Sequence, residues 1–286
     1  MITLIDSRQL YDHLERDFVK PEIIDMWFPY MKDIAAYVCP NFRERSIGLV
    51  CDFTQRISKV YTAVFPSQYV LQKIINDQIT QGMLFVHHPS IWDLKTAGGF
   101  CQMDPALLDQ FKERQISIYT LHLPLDHYGM YSTSKTLADA LGFVIEKPFA
   151  EFCGAVCGVI GTANCKDVEE LNKRYSRILG HETRLYQYGQ SDLKNGRVAV
   201  CAGGGYQEWV LKELIDNDLN VLITGITVQN EFTYESHHFA EEYKINILGG
   251  THYSTEKFAC MAMCGYFQNL GIQAEFIEDV PCYEDL

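Results

Sequence analysis

The residues best placed to do chemistry in this chain are histidines and carboxylates that follow apolar runs. In Val86-His87-His88-Pro89, two imidazoles stand where the run Met83–Val86 ends and a proline forces a turn. The C-terminal edge of a strand is where α/β sheets place ligands. His87 and His88 are also adjacent, and neighbours on a strand point to opposite faces, so taken alone the pair reads more simply as hydrogen-bonded loop histidines. Asp126 follows a second run in Leu121-His122-Leu123-Pro124-Leu125-Asp126. His252 and Glu256 follow a third, in Thr251-His252-Tyr253-Ser254-Thr255-Glu256, at a spacing that puts both on one face of a helix. Imidazole nitrogen with carboxylate oxygen is the donor set of borderline divalent metals. Five donors exceed the need of one tetrahedral ion, so His87, His88, Asp126, His252 and Glu256 predict two ions sharing a bridge.

Other candidates have simpler readings beside them. Gly203-Gly204-Gly205 precedes a helical segment, where backbone N–H groups can hold a phosphate; a tight turn needing positive φ explains it as well. On the phosphate reading, Gly204→Val weakens binding of a phosphorylated ligand. His237 and His238 lie among Glu235, Glu241 and Glu242 and read as surface histidines. His181 stands outside every motif. The pairs Cys153/Cys157 and Cys260/Cys264 read as small core residues before a metal site, and Cys51, Cys157 and Cys201 sit inside strand-like runs.

These residues need a scaffold that brings strand ends together. Strand-length runs at Gly48–Asp52, Val60–Phe65, Met83–Val86, Ile116–Thr120, Ala155–Gly161, Val198–Ala202, Val221–Thr224 and Ile245–Leu248 alternate with segments of helical period. The chain also repeats itself: VLQKIINDQ from Val70 resembles VLKELIDND from Val210, and each precedes a short apolar strand. The predicted fold is therefore two similar α/β lobes from an internal duplication, residues 1–147 and 148–286, parting at a Lys147-Pro148 turn, with the metal site in the cleft between them.

Composition limits the alternatives. With 24 Lys+Arg against 37 Asp+Glu, the formal charge of −13 disfavours direct nucleic-acid binding, which needs clustered cations. The hydrophobic fraction of 47% suits a globular chain of one or two domains. No apolar run approaches the roughly 20 residues of a membrane span, and MITLIDSRQLYDHLERDF mixes acids into its apolar residues, unlike a secretory signal; a cytoplasmic protein is expected.

The order HHP, HLPLD and GTHYSTE over a repeated α/β chain resembles the Nif-three-like dinuclear metal-centre proteins, also called GTP cyclohydrolase one type two homologues. The resemblance spans about Ser46 to Phe276. It implies two divalent ions per chain (Fe, Zn or Mn), held by His87, His88, Asp126, His252 and Glu256, and a ring-like homohexamer with its sites facing an inner cavity. His122 is implied as a ligand or as a group that orients one, and a histidine that relatives often carry near His238 implies a place for His238 behind the ligands. The implied chemistry is hydrolysis of a small phosphorylated or nucleotide-like substrate, in the cyclohydrolase version by attack on the purine carbon between two nitrogens. Thr224-Gly225-Ile226 replaces the Thr-Gly-Glu of many relatives, and Ser46-Ile47-Gly48-Leu49 replaces Asn-Val-Gly-Leu. The missing acid keeps a second reading open, a non-catalytic metal-binding or protein-interaction module.

Overall fold

The computed structural model describes residues 4–92 and 100–286; the first three residues of the opening segment read above lie outside them. From Ser7 to Phe18 that segment is an amphipathic helix, capped by the Asp6 carboxylate on the N–H of Gln9. The chain divides into two compact units, Met1–Leu125 with Cys260–Asp279, and Asp126–Ala259 with Val280–Leu286. The units thus part at Leu125, whereas the sequence places the boundary at Lys147-Pro148. Those two residues lie inside the strand Val144–Phe152, where Pro148 faces Val159. A proline is tolerated there because this strand is the outermost of its sheet and one of its sides owes no ladder hydrogen bond.

The first unit holds a five-stranded sheet in the order Gln273–Phe276, Lys59–Ala63, Gly82–Val86, Ile116–Thr120, Gly48–Cys51. The first four strands are parallel and the last is antiparallel to its neighbour. Every residue of Gly82–Val86 and of Ile116–Thr120 is buried, as expected of central parallel strands covered on both faces. Helix Gln68–Asn76 starts where Ser67 Oγ accepts the N–H of Val70, and helix Pro105–Glu113 starts at Asp104 with proline in its first turn.

The second unit holds a six-stranded sheet in the order Arg184–Tyr186, Asn246–Gly249, Val221–Thr224, Arg197–Cys201, Ala155–Thr162, Val144–Phe152. Three of its inner strands, those between Arg197 and Gly249, are parallel and are joined by helices Glu208–Asp216 and Tyr234–Tyr243. Lys59 to Thr120 in the first unit also places three parallel strands side by side in chain order, with helix Gln68–Asn76 after the first; after the second come the paired short strands Ile91–Trp92 and Phe100–Cys101 and then helix Pro105–Glu113. Helix Val168–Leu179 is capped by Asp167 on the N–H of Glu170 and ends at Gly180, whose φ of +83° closes the turn. The 18-residue helix His252–Asn269 starts in the second unit and ends in the first. Among the described residues no helix is long and apolar enough to cross a membrane.

Cys51 and Cys201 are buried, and Cys157 is half-buried. Cys260 and Cys264 pack on Lys59–Ala63: Cys260 Sγ lies 3.2 Å from Ala63 O, and Thr62 Oγ1 lies 2.8 Å from Cys260 O and 3.2 Å from Cys264 Sγ. They serve the core of the first unit.

Candidate functional site

In the first unit the ladder of the parallel sheet carries the chain into His87 and His88. Their N–H groups donate to Ala63 O at 3.2 Å and Val64 O at 2.9 Å, although the strand ends at Val86. The bend at His87 removes the alternation that would separate adjacent side chains, and the two ring centroids are 4.3 Å apart. His87 Nδ1 is 3.0 Å from Leu121 O, which can only accept, so Nδ1 carries the proton and Nε2 is the lone-pair nitrogen. Thr120 Oγ1 donates to His87 O at 2.8 Å and fixes the same bend. The ring of His88 stacks on Phe65, centroids 4.8 Å apart at 20°.

His122 completes a triad. One ligand atom from each of His87, His88 and His122 lies within 4.8 Å of the others, a set that can hold a metal ion. His122 Nδ1 lies 2.9 Å from Asp25 Oδ2 and 3.1 Å from Trp27 Nε1. One ring nitrogen cannot give a proton to a carboxylate and take one from an indole at once, and the nearer, ionised carboxylate takes it. The side chain of Asp25 is largely covered, which by itself would raise its pKa. The charge and hydrogen bond of His122 and the N–H groups of Leu123 and Met26 outweigh burial and hold the carboxyl below its usual range.

In the second unit Glu256 is the centre of the donor set. A carboxylate oxygen of Asp126 and one of Glu256 lie within 4.8 Å of each other, and Glu256 Oε1 is 3.1 Å from His252 Nε2. His252 and Glu256 are buried, and Asp126 is half-buried, its Oδ1 accepting from Thr133 Oγ1 at 2.7 Å. Helix His252–Asn269 begins at His252 itself, so both donors belong to its first two turns. Cys201, at the end of a sheet strand, has its thiol pushed up to about 12, first by burial and then by the carboxylates of Asp126, Glu213 and Glu256.

Gly203-Gly204-Gly205 packs under these donors. The N–H of Gly203 donates to Thr255 Oγ1 at 3.0 Å, and Gly203 O accepts from the N–H groups of Gly225 and Ile226. Gly203 has φ +63°, and a β-carbon there would overlap Glu256 Oε1; a β-carbon on Gly205 would overlap Cys201, whereas one on Gly204 meets nothing within 4 Å. The positive φ expected of a tight turn in this loop falls on Gly203. The N–H of Gly203 is spent inside the protein, and helix Glu208–Asp216 starts only after Gln207, so the loop has the geometry of the tight turn. Ile226 is buried.

His237 and His238 separate. His238 is exposed, while His237, expected at the surface, is buried with Nε2 on Thr227 O at 2.8 Å and Nδ1 on Tyr188 Oη at 2.9 Å. Burial lowers its pKa, opposed by the bond to Thr227. His181, outside every motif, has Nε2 2.8 Å from Ser254 Oγ in the first turn of the donor helix. Asp25, Trp27 and Asp285 belong to no motif either. A single acid inside Ile23-Ile24-Asp25-Met26-Trp27 is the one sequence signal that marks the first two.

Comparison with known proteins agrees with this architecture. A GTP cyclohydrolase 1 type 2 homolog of Pyrococcus horikoshii is 28% identical over 228 residues, 77% of this chain and 85% of the relative. One of Borreliella burgdorferi is 26% identical over 223 residues, 77% and 82% of the two chains. Among solved structures, protein ybgI, of unknown function, covers 97% of this chain and 100% of its own at TM-score 0.74 and 19% identity. Reduced HcgD from Methanocaldococcus jannaschii covers 98% and 100% at TM-score 0.71 and 19% identity. At these identities the structures attest the fold. The model of the Duf34/NIF3 (NGG1p interacting factor 3) family matches residues 41–281, and the chain belongs to that family.

Proposed function

We propose that this protein binds two divalent metal ions per chain through His87, His88, Asp126, His252 and Glu256, and acts in the cytoplasm as a metal-dependent hydrolase of a small nucleotide-like or phosphorylated molecule. The observation that carries the reading is the approach of Asp126 and Glu256 within 4.8 Å, beside the imidazole of His252. Like charges this close, one of them buried, are costly unless a cation neutralises them. The first unit offers three imidazoles and the second two carboxylates with an imidazole, nitrogen and oxygen donors of the kind that suit Zn, Fe or Mn. When bound, such ions supply Lewis acidity and lower the pKa of water.

The chain's own residues hold the donors for that chemistry. Leu121 O sets the tautomer of His87, Thr133 orients Asp126, and Gly203 leaves the space that the Glu256 carboxylate occupies. The names of the relatives support a purine nucleotide as the substrate class. Family resemblance supports assembly as a homohexamer, which light scattering tests; a monomer at micromolar concentration removes it. A non-catalytic role is the second reading, favoured by the burial of Ile226 where many relatives carry an acid.

Elemental analysis of the purified protein tests the site. Close to two ions per chain are expected in the wild type and at least one fewer in Glu256→Gln, because a neutral amide is a poor bridge between cations. His13→Ala, whose ring pairs with Arg16 on the first helix, is the control and loses none. A wild type without metal, or equal metal in Glu256→Gln, overturns the reading. Turnover of nucleotides or phosphoesters by protein loaded with Fe, Zn or Mn separates hydrolase from binding module.

A further inference from the structure

His122 is gripped by a segment that lies before the family-matched residues 41–281 and that no metal motif includes. Asp25 is built in. Its side chain is 6% exposed, Oδ2 lies 2.9 Å from His122 Nδ1, the N–H of Leu123 donates to the same oxygen at 3.3 Å, and the N–H of Met26 donates to Oδ1 at 2.9 Å. Two backbone donors thus aim the carboxylate at one ring nitrogen. The ring of Trp27, buried, stands edge-on to two imidazoles, 5.0 Å from His122 at 87° and 5.5 Å from His88 at 73° between centroids. An aromatic wall against two rings restricts their rotation, and a carboxylate on Nδ1 selects the tautomer whose lone pair is on Nε2.

We propose that Asp25 and Trp27 form a clamp that makes His122 a divalent-metal ligand through Nε2, beside His87 and His88. The inference rests on the metal reading above and adds a sixth donor and two positioning residues to it. Asp25 acts through His122: its carboxylate keeps the proton on Nδ1 and holds the imidazole in the donor orientation, as carboxylates behind metal-bound histidines do. Trp27 excludes water from one side of the rings and carries a fluorophore within contact distance of two of the proposed ligands.

Cobalt(II) is the probe. Metal-stripped protein titrated with Co(II) is followed by visible absorption and by tryptophan emission, with Trp27→Phe identifying the share of emission due to Trp27. In the wild type the Trp27 emission is expected to be quenched in step with the cobalt absorption. Asp25→Asn, which keeps the shape and removes the charge, is expected to bind Co(II) about ten- to a hundredfold more weakly and with an altered visible spectrum, while its circular dichroism and melting midpoint stay close to wild type. Asp25→Glu is expected to recover part of the affinity. His122→Ala is expected to show the same loss, and keeps the test open if Asp25→Asn fails to fold. Wild-type affinity and spectrum in Asp25→Asn, or in His122→Ala, overturn the clamp and leave the five-ligand reading standing. A wild type that takes up no Co(II) overturns both.

Discussion

The carboxylate of Asp285 accepts the backbone N–H of His252 at 2.8 Å. His252 is the first residue of the helix that also carries Glu256, so this contact caps the element presenting both donors of the second unit. The backbone carbonyl of Asp285 takes the N–H groups of Thr227 and Val228 at 2.7 and 2.8 Å, and the residue is buried. Val280–Leu286 is thereby tied to the second unit although the preceding strand Gln273–Phe276 belongs to the first.

Asp285→Ala leaves a helix N–H uncapped in a buried position and is expected to cost about 1–3 kcal/mol. Urea unfolding of the metal-free protein checks this, with a smaller loss in Asp285→Asn, whose amide oxygen still accepts. Equal midpoints in wild type and Asp285→Ala would show that water replaces the cap.

The glycine loop gives a contrast between neighbours. Gly203→Ala places a side chain at φ +63° and against Glu256 Oε1, so a loss of about 1–2 kcal/mol from the backbone alone is expected, with reduced metal content because the carboxylate is displaced. Gly204→Ala, open to within 4 Å, is expected to change neither. Urea unfolding and elemental analysis of the two variants read both effects.

His237 makes stability depend on pH. Burial depresses its folded pKa below the ordinary value, so the unfolded chain takes up the proton first on acidification. The contribution is complete above the ordinary histidine pKa of about 6.5 and is lost as pH falls below it, by at most about 1.4 kcal/mol per pH unit. Urea unfolding at pH 7.5 and 5.5 is expected to show a larger drop in the wild type than in His237→Gln. Parallel losses would mean that His237 titrates alike in both states.

Thiol labelling of the native protein is expected to modify Cys101, Cys153 and Cys282, which are exposed, and to spare Cys51, Cys201 and Cys260, which are buried. Cys201 is doubly protected, since burial and then Asp126 push its thiol up to about 12 and a thiol that high holds almost no thiolate at neutral pH. Mass spectrometry before and after unfolding separates the two groups.

The elements and donors were written in local patterns. Ile116–Thr120 and Val221–Thr224 form strands at the residues the sequence marks, because a short apolar run bounded by turn residues has few other ways to bury itself. The helical spacing of His252 and Glu256 likewise sufficed to bring their side chains to 3.1 Å. What depends on contacts between distant segments had to wait for the tertiary structure. Lys147-Pro148 reads as a turn, and only its place on the outer strand of a sheet lets a proline extend. His237 sits among acids that signal a surface, and its burial follows from packing on Tyr186 and Tyr188, about fifty residues away in sequence. Asp25 meets His122 across 97 residues, and Asp285 meets His252 across 33. A single acid in an aperiodic segment carries no period and no spacing, so nothing local can say which imidazole or which helix end it will serve.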